Sequence, residues 1–286
     1  MLNAYRLGAS LYVPATHHDV LNIANGTRWP ELRSVIFCTE DAVLETALEA
    51  AIKNLRHALA HMTTNCAMLR FVRVRNPDIL TQLLALPGIE KIDGFVFPKF
   101  DLSNVDAYMN LLHDSPYLCM PTLETRDVFE TSKLNSLRDH LLGSGYQQRI
   151  LALRIGGNDL LSLLGIRRPT DRTIYCTPLG HTIAQIVTVF KPFGFQITAP
   201  VFEHLNCPEI LEAELSEDLA HGLCGKTAIH PDQIPIIEKG FRVTSTDLEA
   251  AQRILLDQRA VFQFNGSMCE LATHRVWAQR IIERSR

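Results

Sequence analysis

Eight short apolar runs recur along the chain, at residues 9–13, 34–37, 68–74, 94–97, 118–123, 150–155, 195–199 and 226–229, each followed by a stretch with helical spacing. Near-continuous apolar runs of this length suit strands buried on both faces, and a repeated strand-then-helix order implies parallel pairing through crossover helices. Eight such units predict an α/β fold of the (β/α)8 barrel type. The clearest helix spans residues 43–62. There Val43, Ala47, Leu48, Ala51, Ile52, Leu55, Ala58 and Leu59 make one apolar face, and Glu45, Glu49, Lys53 and Arg56 make the other. His57 and His61 lie one turn apart on this helix, without an acidic partner, and read as solvated side chains.

Between residues 130 and 149 the chain turns polar and carries Gly143-Ser144-Gly145, which predicts a long helix ending in a flexible corner. Beyond Gly240 the strand pattern stops. Thr246 with Glu249, and Ser267 with Glu270, have capping-box spacing, so two helices are expected to close the chain. The last, residues 267–286, sets Met268, Leu271, Val276, Trp277, Ile281 and Ile282 against Arg275, Arg280, Arg284 and Arg286. The expected organisation is a barrel domain over 1–240 and a C-terminal helical extension over 241–286. An amphipathic terminal helix needs a surface to cover, its own barrel or a neighbouring subunit, and a homo-oligomer is expected.

Composition narrows the classes of function. With 286 residues, 47% hydrophobic, 21% charged and a formal net charge of −3, the chain has no basic stripe for nucleic acid and no polybasic helix for a membrane surface. Its seven cysteines are scattered without a C-x-x-C pair and read as reduced thiols of a cytoplasmic protein. The N-terminus lacks a signal-peptide pattern, and no apolar run reaches the ~18 residues of a membrane span. A small soluble ligand is expected.

In a parallel barrel, functional residues collect at the carboxyl ends of the strands. After the second run come Glu40 and Asp41; the third ends in Arg73-Val74-Arg75; the fourth in Pro98-Lys99; Glu124 follows the fifth and Asp159 the sixth. Two carboxylates at one mouth can share a hard cation, and Arg73 or Arg75 can hold a substrate carboxylate in a fork. A bound Mg²⁺ polarises a 2-keto or thioester carbonyl, which suits making or breaking an adjacent carbon–carbon bond. Each residue also has a plain structural role open to it. Asp159 stands where a helix N-cap would, Arg73 or Arg75 can pair with Glu40 or Asp41, and Lys99 with Asp101.

Six segments, in order, carry a family resemblance: 33–43 (RSVIFCTEDAV), 71–74 (FVRV), 93–99 (DGFVFPK), 123–125 (LET), 157–160 (GNDL) and 225–233 (GKTAIHPDQ). They resemble the citrate lyase β-subunit-like (HpcH/HpaI aldolase) family, and in particular its divergent C–C bond lyase branch beside tellurium-resistance clusters. The resemblance implies a Mg²⁺- (or Mn²⁺-) dependent carbon–carbon lyase on a (β/α)8 barrel, assembled as trimers or hexamers. It implies a small 2-keto acid, hydroxyacid or acyl-CoA as substrate. By it Glu124 and Asp159 take the metal positions, Arg73 that of the substrate carboxylate, and Glu40 and Asp41 the second-strand acidic positions near the metal and its waters; Arg75 is a second candidate for binding substrate, and Lys99 joins Arg73, Glu40 and Asp41 as a catalytic candidate. Three departures stand out. Cys38 replaces the first acid of the family's D-L-E-D, Asn76 follows a second arginine, and Ile197-Thr198-Ala199 replaces I-D-G. They leave a second reading open, a catalytically impaired barrel that binds a metabolite as a scaffold subunit.

Overall fold

The computed structural model describes residues 2–285. Eight parallel strands follow one another around a barrel: β1 (Gly8–Pro14), β2 (Ser34–Cys38), β3 (Leu69–Arg73), β4 (Gly94–Phe97), β5 (Leu118–Leu123), β6 (Leu153–Ile155), β7 (Ile197–Thr198) and β8 (Gly225–Ala228). Each strand pairs with its predecessor in sequence from β1 to β7, and β8 pairs with β1 from Gly8↔Gly225 to Leu11↔Ala228. The last seam, between β7 and β8, is closed by Cys224 N–H to Ile197 O at 3.0 Å and Ala199 N–H to Gly225 O at 2.7 Å. All eight predicted strands are present.

The crossover helices are α1 (Val20–Ala24), α2 (Leu48–His61), α3 (Pro77–Leu84), α4 (Val105–Met109), α5 (Thr131–Gly143), α6 (Gly157–Leu163), α7 (Pro178–Phe190) and α8 (Pro208–Ala220), followed by α9 (Gln233–Gly240). Helix α2 buries Ala51, Ile52, Leu55, Ala58 and Leu59, the predicted face, but begins five residues later than its periodicity suggested. The reason is local. The Val43 carbonyl is taken by the Arg75 guanidinium at 2.6 Å, so Val43 is buried in the β2–α2 loop instead of opening the helix. The polar segment after β5 does form a long helix, α5, and the chain then turns at Gly145 with φ +71°.

Barrel interiors are filled from the amino-terminal end. Ala4, Tyr5, Leu7, Ile36, Leu69, Phe71, Val96, Met120, Ala152 and Cys224 form one buried cluster there, beneath the carboxyl ends of the strands. Each large apolar member contributes roughly 1.5–3 kcal/mol on burial. Because the cluster seals one end, the space left open lies at the other.

Two compact units divide the chain, one running to Glu238 and one from Lys239. The second contains α10 (Ser245–Leu256), an antiparallel hairpin of β9 (Val261–Phe264) and β10 (Ser267–Glu270), and α11 (Leu271–Arg284). The hairpin was not expected. Asn265 and Gly266 both adopt positive φ, +47° and +78°, the two-residue turn that reverses a strand pair. Ser267–Glu270 is therefore strand, and the last helix starts at Leu271. Helix α10 is capped by Thr244, whose Oγ1 accepts the Asp247 N–H at 3.0 Å, two residues before the expected Thr246. Ala251, Ile254, Phe262, Cys269, Ala278 and Ile281 form this unit's own core, while Met268, Val276 and Trp277 stay exposed.

Candidate active site

At the carboxyl ends of the strands lies a cavity of about 320 Å³, walled by residues from seven strands or the loops that follow them, among them Tyr12, Asp41, Arg73, Thr122, Glu124, Arg154, Asp159 and Thr227. Interior positions explain why these residues meet. Alternate residues of a strand face one side, and in-register neighbours of a parallel sheet face the same side, so Arg73 on β3 sits one layer above Phe71, and Arg154 on β6 one layer above Ala152.

Arg73 organises the anionic wall. Its Nη2 lies 2.5 Å from Glu40 Oε2, 2.9 Å from Asp41 Oδ2 and 3.4 Å from Glu124 Oε1, while Nε is buried without a hydrogen-bond partner. Lys99 Nζ meets the other Glu40 oxygen at 2.6 Å. The Lys99 backbone is held left-handed, at φ +48°, and aims its N–H at Glu124 Oε1 from 2.8 Å. A non-glycine residue in that conformation stores strain, and here the strain fixes a donor on a buried carboxylate.

Glu124 is 4% exposed. Burial pushes its carboxyl up to about 7; the Arg73 charge pulls the other way and the Asp159 charge adds to the rise. Its Oε2 accepts no hydrogen bond among the described residues and faces Gly156. A Cβ on Gly156 would stand 2.1 Å from that oxygen, so only glycine lets the end of β6 approach so closely. Asp159 lies half-buried in the first turn of α6; Gly156, not Asp159, is the helix N-cap residue.

This donor set fits a hard divalent cation. Two carboxylates line one cavity, and Glu124 has an unengaged oxygen and a carboxyl raised by burial and by the Asp159 charge, which a cation would relieve. Among the described residues no group of three or more His, Cys, Asp or Glu is arranged to hold a metal, so the rest of the shell would come from water and substrate oxygens, the usual habit of Mg²⁺.

Of the residues singled out in the sequence, Asp41, Arg73, Glu124 and Asp159 share the cavity wall. Glu40 and Lys99 stand behind Arg73 instead of lining the cavity. Arg75 is drawn away altogether: it donates to the carbonyls of Thr39, Glu40 and Val43 and braces the β2–α2 loop, a correction to its expected place beside the substrate. Sequence reasoning missed Tyr12, Thr122, Arg154 and Thr227. The signal for Arg154 was available, since a charge in the middle of a run destined for burial on both faces needs a reason. A second buried cluster also escaped notice, on the outer side of β8. Lys226 Nζ lies 2.8 Å from both Glu214 Oε1 and Asp218 Oδ2, and Arg168 Nη1 lies 2.6 Å from Glu214 Oε2, all four side chains fully buried.

A parallel eight-stranded barrel with paired carboxylates and an arginine at its mouth defines a class of enzyme scaffold, and comparison narrows it. The chain belongs to the C–C bond lyase family of the TIM-barrel fold, whose profile matches residues 1–286. The (3S)-malyl-CoA thioesterase of Cereibacter sphaeroides is 28% identical over 254 residues, spanning 87% of this chain and 82% of that protein. The malyl-CoA/β-methylmalyl-CoA/citramalyl-CoA lyase of Chloroflexus aurantiacus is 24% identical, spanning 71% and 64%. Among solved structures, the CitE protein of Mycobacterium tuberculosis, crystallised with magnesium, acetoacetate and coenzyme A, matches with a TM-score of 0.71 at 23% identity, over 98% of this chain and 99% of that one. The citrate lyase β subunit of the same organism, with oxaloacetate and magnesium, matches with a TM-score of 0.63 at 21% identity, over 84% and 100%. No helix among the described residues is long and apolar enough to cross a membrane.

Proposed function

We propose that the cavity binds a small carboxylated 2-keto acid, hydroxyacid or acyl-CoA together with Mg²⁺, and that the protein makes or breaks the carbon–carbon bond next to the polarised carbonyl. One observation carries this reading: Glu124, Asp159 and Arg73, from three different strand ends, line a single cavity in a barrel of this family. Glu124 and Asp159 would hold the metal, which supplies Lewis-acid polarisation of the carbonyl when bound. Arg73 keeps its charge fixed against Glu40 and Asp41 and still has donors to give, so it orients the substrate carboxylate. Lys99 and Glu40 hold Arg73 and Glu124 in place from behind. The relatives' names support coenzyme A esters as substrates, and one of them is named a thioesterase.

The test is a screen of the purified protein against 2-keto acids and acyl-CoA esters, with and without Mg²⁺. Metal-dependent cleavage or condensation of the carbon skeleton is expected. Release of free coenzyme A with the skeleton intact would reassign the reaction to thioester hydrolysis. No metal-dependent change in any substrate would overturn the reading.

The pH dependence follows from Glu124. Its folded carboxyl titrates near 7 against 4.5 for the ordinary group, so the folded metal-free protein holds a proton that the unfolded chain has already released. That contribution to stability is complete below ~4.5 and lost as pH rises through ~7, on the order of 3 kcal/mol in all. Mg²⁺ needs the ionised form. Its affinity should fall about tenfold per pH unit below ~7, with release of up to one proton per ion bound. Calorimetry at pH 6, 7 and 8 in two buffers of different ionisation heat measures both; a pH-independent affinity would remove Glu124 from the metal site.

A further inference from the structure

The cavity holds a second guanidinium with no anion to match it. Arg154, 2% exposed, sits in the middle of β6, in register with Thr122 on β5 and Thr198 on β7. Its Nη2 donates to Thr227 Oγ1 at 2.5 Å, its Nη1 lies 3.8 Å from Met120 Sδ, and its Cζ stands 5.5 Å from the centre of the Tyr12 ring. Among the described residues no carboxylate forms an ion pair with it. Arg73, whose Cζ stands 5.7 Å from the centre of the same ring, has three. Burial pushes the Tyr12 phenol up, so the ring stays neutral and supplies no counter-charge. A buried cation without an anionic partner is costly.

The hydroxyls around it are unsatisfied as well. Thr122 Oγ1 and Thr198 Oγ1 are both buried without a hydrogen-bond partner, and Thr122, 5% exposed, lines the cavity beside Arg154. A guanidinium that meets no anionic acceptor, beside a cavity-lining hydroxyl that has no partner at all, is arranged for an anion, and a planar fork favours a carboxylate. We infer that Arg154 and Thr122 bind a second carboxylate of the substrate, so that the site takes dicarboxylates, one end oriented by Arg73 and the other by Arg154. This rests on the cavity being the substrate site proposed above.

Succinate and butyrate differ by that one carboxylate and serve as probes. Calorimetry on the full chain, with and without Mg²⁺, should give at least tenfold tighter binding of succinate. In Arg154→Gln the preference should vanish, with butyrate unchanged. Thr122→Val, which keeps the side-chain volume, should reduce the succinate preference several-fold, and it decides the matter if Arg154→Gln does not fold. A wild-type protein without the preference, or a folded variant that retains it in full, overturns the inference. Glu124→Gln separates the two readings. If Mg²⁺ never binds but the preference still depends on Arg154, the metal reading fails alone; if Mg²⁺ binds through Glu124 and the preference ignores Arg154, the second carboxylate site fails alone.

Discussion

Glu124→Gln should abolish Mg²⁺-dependent turnover while leaving the metal-free fold at least as stable as wild type at pH 8. The amide keeps an oxygen for the Lys99 N–H and roughly the same volume, so the 2.8 Å contact and the approach of Gly156 survive. What disappears is a buried charge that Asp159 repels. Removing the charge therefore relieves the fold and deprives the cation of a ligand. The lost polarisation is worth about 4 kcal/mol, or roughly three orders of magnitude in kcat/KM. Most core substitutions destabilise; a residue whose loss stabilises the protein and silences it marks a site where stability was given up for function. Thermal melts with and without Mg²⁺, beside steady-state rates, measure both halves. If the variant keeps wild-type metal dependence, Glu124 is not a metal ligand.

Lys226→Met should cost about 3–5 kcal/mol of folding stability, because it strands Glu214 and Asp218 in a fully buried cluster with Arg168 as their remaining cation. Burial raises the Asp218 carboxyl and Lys226 is what holds it down; Glu214 is kept low, against burial, by Lys226 and Arg168. Without Lys226, Asp218 takes up a proton, so the loss should be smaller at pH 5 than at pH 8. Adding Asp218→Asn to Lys226→Met should recover part of it. Urea titration of the two variants at both pH values gives the comparison; a loss below 1 kcal/mol would mean that the cluster rearranges without cost.

The eight strands were legible because each is buried on both faces and so writes an unbroken apolar run, and strand ends locate the mouth without any further knowledge. Glu124, Asp159, Arg73 and Asp41 were placed at the mouth that way, and all four line the cavity. Lys99 and Glu40 were placed there too, but order along the chain cannot say which residue lines a cavity and which supports it from behind. Arg75 departs from its expected place for a related reason: two residues from Arg73 on the same chain, it leaves the strand and spends its donors on carbonyls of a loop 32 to 36 residues away in sequence. The Lys226 cluster joins residues as far apart as Arg168 and Lys226, and periodicity carries no pairing information over that range. In the C-terminal unit the Asn265-Gly266 turn signal was present, but its flanking strands are four residues each and mix polar with apolar positions, so a helical reading won.

The barrel wall is not equally strong all round. Five consecutive residues of β2 register with β3, whereas β7 contributes only two residues and the seam to β8 rests on a few backbone hydrogen bonds around Ile197 and Ala199. Amide exchange should therefore be graded around the circumference, slowest along β1–β3 and fastest at Ala199 and Cys224. Thr198 lies on this thin side, in register with Arg154, so anything that fills the cavity from β6 should act as a clasp on the seam, slowing exchange at those two amides while the opposite wall hardly changes.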